Sequence, residues 1–309
     1  MEKRDFLSAQ DLSREELLQL FQRAREMKGH RRRHLASRRG MTMAMLFEKP
    51  SLRTRVTFHT GVIQLGGSAI FLGPSDIDLG KRESVFDVAK NLERMVEIIM
   101  IRTFAHRICT ELADHSAIPV INGLTDLEHP CQSLADFFTL WEEKGELAGR
   151  RLAYVGDGNN VAHSLLLMGA ELGVHVSVAS PEGYEPSPEI VARAEEIGEG
   201  SGAEVRVTRN PAEAVDGVDA VYTDVWASMG QEAEAEERKK VFQPYQVNAA
   251  LMAKADPEAI FLHCLPAHRG EEVTDEVIDS PQSRVFQEAE NRLHVQKALV
   301  YELTKSYGK

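Results

Sequence analysis

The run Arg151-Leu152-Ala153-Tyr154-Val155-Gly156-Asp157-Gly158-Asn159-Asn160-Val161 reads as a short buried strand, a tight glycine turn and the start of a helix. Ala162, Leu165, Leu166, Met168, Gly169 and Leu172 continue at helical spacing, so Val161 to Leu172 packs one face onto that strand. Outward from there the pattern repeats. Val174 to Ala179, Glu204 to Thr208, Val218 to Thr223 and Ala259 to His263 have the length and apolar content of buried strands, and Pro186 to Glu196 reads as a helix. Strands alternating with helices predict a parallel sheet joined by right-handed crossovers.

The first half shows a similar alternation, with strands near Met41, Ala69, Ile98 and Pro119. An amphipathic helix precedes them over Ser13 to Met27, opened by the capping box Ser13-Arg14-Glu15-Glu16. The helix-like stretch Ser133 to Glu143 leads into the second half. Asn291 to Tyr307 reads as a helix that can return to the first domain. The fold class expected is α/β, with two domains, each a central mostly parallel sheet flanked by helices. Residues 1–146 with 291–309 form one domain and 147–290 the other.

The 309 residues hold 36 Lys+Arg against 48 Asp+Glu, a net charge of −12. That balance argues against a general nucleic-acid binder, although Arg31, Arg32, Arg33, Arg38 and Arg39 form a local basic stretch. An anionic ligand must then be met by a local cluster of cations. No apolar run approaches the ~18 residues that span a bilayer, and the N-terminus lacks a signal-peptide core. Three scattered cysteines (Cys109, Cys131, Cys264), with no CxxC pair, make a disulfide framework or structural zinc improbable. The expected compartment is the reducing cytoplasm.

Five segments carry side chains suited to chemistry. In Phe47-Glu48-Lys49-Pro50-Ser51-Leu52-Arg53-Thr54-Arg55 a strand ends at a proline, and hydroxyls and guanidiniums follow. A helix starting near Ser51 would aim free N–H groups and its positive dipole end at an anion. Ser51, Thr54 and Arg55 would share a helix face, with Arg53 reaching the ligand from the bend. The alternative is a surface strand of alternating charge. In His129-Pro130-Cys131-Gln132, Pro130 suits a first helical turn, and His129 and Gln132 would both point at a carbonyl oxygen. A plain capped helix start is the competing reading.

Gly156-Asp157-Gly158-Asn159-Asn160-Val161 approaches the dinucleotide fingerprint but has Val161 at the third glycine, and Ala179-Ser180 supplies no ribose-binding acid. It can still present Asn160 to another ligand. Asp224, in Asp224-Val225-Trp226-Ala227-Ser228-Met229-Gly230, ends a strand where ligands of open α/β sheets bind, and a carboxylate there suits an amine. A helix cap is the alternative. The charged Gln231 to Lys240 reads as an exposed helix or loop. His263-Cys264-Leu265-Pro266 ends another strand. Neighbouring residues on a strand face opposite ways, so His263 cannot simply activate Cys264.

Taken in order, FEKPS-x-RTR, HPCQ, GDGNN, D-x-x-x-SMG, HCLP and Glu290-Asn291-Arg292 resemble the aspartate/ornithine carbamoyltransferase family over nearly the whole chain, its ornithine branch most closely. SMG and HCLP separate the two branches. The resemblance implies carbamoyl phosphate on the first domain and the amino acid on the second. It also implies a homotrimer or a multiple of trimers, with active sites at subunit boundaries, and no metal or organic cofactor. Carried over residue by residue, Ser51, Leu52, Arg53, Thr54, Arg102, His129, Gln132, Cys264, Leu265 and Arg292 would hold carbamoyl phosphate. Asn160, Asp224, Ser228 and Met229 would bind ornithine. Arg102, His129, Cys264 and Asp224 would be catalytic.

Two positions depart from the family pattern. Leu52 stands where a threonine is usual, so only its backbone N–H can serve phosphate. Asp78 stands where relatives often carry a neutral polar residue, and it should turn away or pair with Lys81 or Arg82. The reaction implied is attack by ornithine's δ-amine on the carbamoyl carbon, through a tetrahedral intermediate, to citrulline and phosphate. Arg102, His129 and Thr54 would polarise the carbonyl oxygen. Asp224 would anchor the α-amino group, and Cys264 would help accept or relay the δ-proton. Binding of the first substrate should favour a closure that completes the second site. Acylated ornithine or putrescine as acceptor, a Cys-His hydrolase and a non-catalytic partner protein are the competing functions.

Overall fold

The computed structural model describes residues 3–30, 37–77, 79–80, 82–227, 230 and 232–305. They form two compact units, Met1–Leu134 with Glu290–Lys309, and Ala135–Ala289.

In the first unit, β1 (Thr42–Phe47), β2 (Ser68–Leu72), β3 (Ile98–Arg102) and β4 (Val120–Leu124) make an all-parallel sheet in the order β2-β1-β3-β4. β1, β3 and β4 are almost wholly buried, which matches their near-continuous apolar sequences. The predicted capping box closes the helix Arg14–Gly29: Glu16 N–H donates to Ser13 Oγ at 3.4 Å and Ser13 N–H to Glu16 Oε2 at 3.0 Å. The helix Val285–Leu303 begins six residues before the expected Asn291, because Val285 and Glu288 are also buried. Its later part packs in the first unit. Thr57 donates to Gln296 Oε1 at 2.5 Å and Lys297 to Gln64 Oε1 at 2.9 Å.

In the second unit, β5 (Arg151–Val155), β6 (His175–Ala179), β7 (Val205–Thr208), β8 (Ala220–Tyr222) and β9 (Ile260–Leu262) form a parallel sheet in the order β7-β6-β5-β8-β9. All five expected strands are present, shorter by a residue or more at all but β5. The helix Asn160–Leu172 packs as expected and ends at Gly173 in the left-handed conformation. Val155, Val221, Phe261, Trp226 and Phe242 belong to one apolar core.

Each sheet reverses its winding once, between β1 and β3 and between β5 and β8. Loops leaving the carboxyl ends of such strand pairs diverge and leave a crevice for ligands. The register places Phe47 beside Arg102 in the first sheet, and Tyr154 beside Tyr222 in the second. Four of the five candidate segments therefore leave strands at carboxyl edges. The HPCQ segment follows β4 and opens the helix Pro130–Lys144.

Candidate active site

In the first unit Pro50 ends β1 and Ser51 caps the helix Leu52–Gln64, accepting from Thr54 N–H at 3.2 Å. No acid lies in that helix's first turn, so its amino end keeps its positive field. Glu48 N–H donates to Arg102 O at 2.8 Å and ties this loop to the end of β3. Thr54 is fully buried, and its hydroxyl accepts from Arg292 Nη2 at 2.7 Å. Arg292 thus arrives from the C-terminal helix, 238 residues along the chain.

His129 is buried here, and its imidazole is held well below the ordinary histidine range. Burial is the main cause, and the fields of Arg292, Arg102 and Arg53 add to it. The fields of three guanidiniums acting on a neutral imidazole suit this region to a multiply charged anion, and the imidazole can offer one N–H to a carbonyl oxygen. Gln132, 1% exposed, sits one helical turn away.

Arg55 is a correction. The spacing predicted that it shares a ligand-facing side with Ser51 and Thr54. It is exposed and lies over the Phe71 ring at 3.8 Å. The converging cations are Arg53, Arg102 and Arg292, drawn from three separate elements. Leu52 is 72% exposed at the helix start, where its backbone amide is one of the unsatisfied helix-end donors.

In the second unit Gly156 (φ 149°) turns the chain out of β5 in a conformation that favours glycine. Asn159 caps the next helix, and its Oδ1 accepts from Val161 and Ala162 N–H at 2.9 and 3.2 Å. Its Nδ2 donates to Asp224 Oδ2 at 2.9 Å. Asp224 Oδ1 accepts from its neighbour Val225 N–H at 2.8 Å and from the Cys264 thiol at 3.0 Å. Burial and the Asp224 carboxylate push the Cys264 thiol well above the usual cysteine range.

This geometry favours a donor role for Cys264 over the proton-accepting one among the roles expected of it. A thiol that keeps its hydrogen and donates it to a carboxylate is neither nucleophile nor ready proton acceptor.

His263 has its ring committed elsewhere. Nδ1 accepts from Leu265 N–H at 2.8 Å, and Nε2 meets Glu272 Oε1 at 3.1 Å. Both His263 and Glu272 are fully buried. This arrangement fixes the turn in which Leu265 takes a left-handed φ of 56°. Asp224, His263 and Cys264 bring three donor atoms within 4.8 Å of one another, a grouping that could hold a metal ion. Each of those side chains already serves a hydrogen bond described above.

Asn160 opens the helix Asn160–Leu172 and is half-buried. The neighbour that touches Asp224 is Asn159, which the sequence reading passed over; its clue was the helix-cap position directly after the glycine turn. Arg238 was also missed, because it lies in a stretch read only as an exposed charged helix or loop. Ser228 and Met229 lie outside the described residues, as do Asp78, Lys81 and Arg31, Arg32 and Arg33.

Residues 4–142 match the family model of the aspartate/ornithine carbamoyltransferase carbamoyl-P binding domain, and residues 148–303 that of the Asp/Orn binding domain. The chain is 57% identical over 302 residues to the ornithine carbamoyltransferase of Symbiobacterium thermophilum, covering 96% of each chain. It is similar to the solved ornithine carbamoyltransferase from Pyrococcus furiosus, with TM-score 0.93 and 50% identity over 97% of this chain and 96% of that one. The anabolic ornithine carbamoyltransferase from Campylobacter jejuni gives TM-score 0.92 at 39% identity, over 98% and 99% of the two chains.

Proposed function

The chain belongs to the aspartate/ornithine carbamoyltransferase family, and from that membership we propose how its two groups of site residues divide the chemistry. The enzyme transfers the carbamoyl group of carbamoyl phosphate to the δ-amine of L-ornithine, giving L-citrulline and phosphate for arginine biosynthesis.

Carbamoyl phosphate is assigned to the first unit. Arg53, the Leu52 amide and the Ser51-capped helix end hold the phosphate, and Thr54 orders Arg292 beside it. Arg102, His129 and Gln132 address the carbamoyl group. As the tetrahedral intermediate forms, charge develops on the carbonyl oxygen, and pre-set donors stabilise it most where water is excluded. The observation that carries this reading is the group of three arginines whose fields meet at the buried, neutral His129.

Ornithine is assigned to the second unit. Asp224 takes the α-ammonium, with Asn159 and Cys264 fixing its carboxylate, and Asn160, Ser228 and Met229 complete the site. Leu265 and Cys264 lie at the reacting end. The attacking amine must be unprotonated. A free alkylammonium titrates near 10.4, so removing its proton at pH 7 costs about 4.6 kcal/mol. Once deprotonated, the amine forms the new C–N bond, the C–O bond to phosphate breaks, and the nitrogen's surplus proton leaves with the phosphate as hydrogen phosphate. The departing dianion can therefore act as the base for that step, with Cys264 remaining a thiol throughout.

We place the enzyme in the cytoplasm as a homotrimer or a multiple of trimers. Three free cysteines suit a reducing compartment. No helix among the described residues is long and apolar enough to cross a membrane. Exposed apolar side chains in the first unit, Val56 and Ile63 at 52% and Met95 at 69%, suit burial against further copies.

The deciding assay is citrulline formation by the purified protein, with ornithine, N-acetylornithine and putrescine compared as acceptors. Asp224 predicts a clear preference for ornithine over N-acetylornithine, whose α-nitrogen is an uncharged amide; putrescine keeps that ammonium and lacks the α-carboxylate, so it reads the carboxylate contact instead. Equal rates with ornithine and N-acetylornithine would overturn the assignment of Asp224.

A further inference from the structure

The residue directly before His129 is a buried carboxylate. Glu128, 2% exposed, ends the turn between β4 and the helix Pro130–Lys144. Burying that charge is costly unless its oxygens are hydrogen-bonded. Oε1 accepts from Ser8 Oγ at 2.7 Å and Oε2 from Ala9 N–H at 2.8 Å. The segment His129-Pro130-Cys131-Gln132 begins one residue too late to include it.

Both donors come from a segment 119 and 120 residues earlier in the chain, and that segment is itself fixed. Phe6 is fully buried alongside β4: its N–H donates to Val120 O at 2.9 Å, and its carbonyl accepts from Asn122 N–H at 2.8 Å. Asn122 Nδ2 donates to Leu7 O at 2.8 Å. Asp11 Oδ2 accepts from Leu7 and Ser8 N–H at 2.6 and 2.8 Å and holds the turn that carries Ser8 and Ala9.

The backbone of Glu128 is held as well. Its N–H donates to Thr125 Oγ1 at 3.2 Å, and its carbonyl accepts from Thr125 N–H at 2.9 Å. On the other side, His129 O accepts from Gln132 N–H at 2.9 Å as the helix begins. The chain is clamped on both sides of His129, and the upstream clamp runs through the Glu128 carboxylate to the N-terminal segment.

We propose that Glu128 is a positioning residue: anchored on Ser8 and Ala9, it fixes where His129 presents its imidazole to the carbamoyl oxygen. The proposal rests on the assignment of His129 to the carbamoyl group. Misplacing a reacting group by about 1 Å can cost about a hundredfold in rate, so loss of the anchor should lower kcat. The phosphate end, assigned to Arg53 and the Ser51-capped helix, should not feel the change.

The test compares Glu128→Gln, Glu128→Leu and Ser8→Ala in the full-length protein, each alone and combined with His129→Ala. Steady-state kinetics give kcat and both KM values. Product inhibition by inorganic phosphate reads the phosphate end without chemistry, and thermal unfolding monitors the fold. Glu128→Leu should lower kcat tenfold or more and leave the phosphate Ki within twofold. Glu128→Gln should stay within threefold of wild type, because its amide oxygen can accept from Ala9 N–H while its NH2 donates to Ser8 Oγ. Ser8→Ala should lower kcat threefold or more. Residues that act as a unit are not additive, so once His129 is alanine neither Glu128→Leu nor Ser8→Ala should lower kcat more than twofold further.

A folded Glu128→Leu variant with wild-type kcat overturns the proposal, and so does a loss that recurs in full in the His129→Ala background. Should Glu128→Leu fail to fold, Ser8→Ala decides, and an equal effect on kcat in the two backgrounds overturns the proposal. His129→Ala alone separates the two levels. If it leaves kcat unchanged, the assignment of His129 fails and the proposal fails with it. If it lowers kcat while the folded Glu128 and Ser8 variants do not, the proposal alone fails.

Discussion

Cys264 donates its thiol hydrogen to Asp224 Oδ1 at 3.0 Å, so a residue that could have been read as a nucleophile is a hydrogen-bond donor to the carboxylate we propose receives the amine. The thiol is fixed by burial and by the charge it faces. Cys264→Ser keeps a donor and should retain kcat/KM within about tenfold of wild type. Cys264→Ala removes a hydrogen bond to a charged group, a loss of about 1.5–3 kcal/mol, and should lower kcat/KM by roughly 10–100-fold without abolishing turnover. Alkylation by iodoacetamide at pH 7.5 should be much slower than that of free cysteine. Rapid modification at that pH would show a thiolate and sink this account.

His129 should contribute no limb to the pH–rate profile. Its imidazole is held well below the ordinary value by burial and by Arg292, Arg102 and Arg53, so it is already neutral through the working range. The group that titrates above neutrality is then the ornithine amine, near 10.4. kcat/KM should rise close to tenfold per pH unit from pH 6.5 to 8.5. A plateau beginning near pH 6.5, with chemistry rate-limiting, would assign the limb to the histidine. The same depression makes His129 a source of stability at neutral pH. It is present above the unfolded value near 6.5 and lost as pH falls and the unfolded chain binds a proton that the folded one refuses.

Arg292 and Arg55 should behave very differently. Arg292→Met removes a buried guanidinium that donates to Thr54 at 2.7 Å and should raise the carbamoyl phosphate KM at least tenfold. Arg55→Gln removes an exposed guanidinium lying over Phe71 and should change that KM less than twofold. Comparable rises in the two variants would restore the helix-face reading that the structure contradicts.

Asp157 gives a pH-dependent stability with a defined sign. Burial pushes its carboxyl up to about 6, against the opposing pull of Arg238. A raised carboxyl holds its proton in the folded state while the unfolded chain, titrating near 3.9, has released it. The stabilising contribution is therefore complete below about pH 4 and is lost as pH rises through about 6. A carboxamide in its place cannot ionise, so the melting temperature of Asp157→Asn minus that of the wild type should become more positive from pH 4 to pH 7. A difference that shrinks with rising pH would mean that the pull of Arg238 outweighs burial.

Gly158 is demanded by space. A methyl group built there would lie 2.2 Å from Pro186 N and 2.3 Å from Glu185 C, both backbone atoms that cannot swing aside. Gly158→Ala should lower stability by about 1–3 kcal/mol, as overpacking does, and should raise ornithine KM by displacing the Asn159 cap. Unchanged denaturant midpoint and KM would refute the close approach.

The sequence by itself determined the alternation of strands and helices, the two-sheet α/β class and the family. Buried parallel strands need near-continuous apolar runs, and glycine turns and helix caps mark their ends locally. Candidates such as Ser51, His129, Asp224 and Cys264 were legible because chemistry-bearing residues clustered at those ends. What a side chain touches was not legible, since it depends on segments far apart in the chain. Only the tertiary structure brought Arg292 to Thr54, turned Arg55 onto Phe71, set Asn159 against Asp224, and buried Arg238 in a stretch whose composition reads as solvent-facing. The thiol state of Cys264 belongs to the same class: it follows from burial and from a carboxylate 40 residues away, neither of which a local sequence motif encodes.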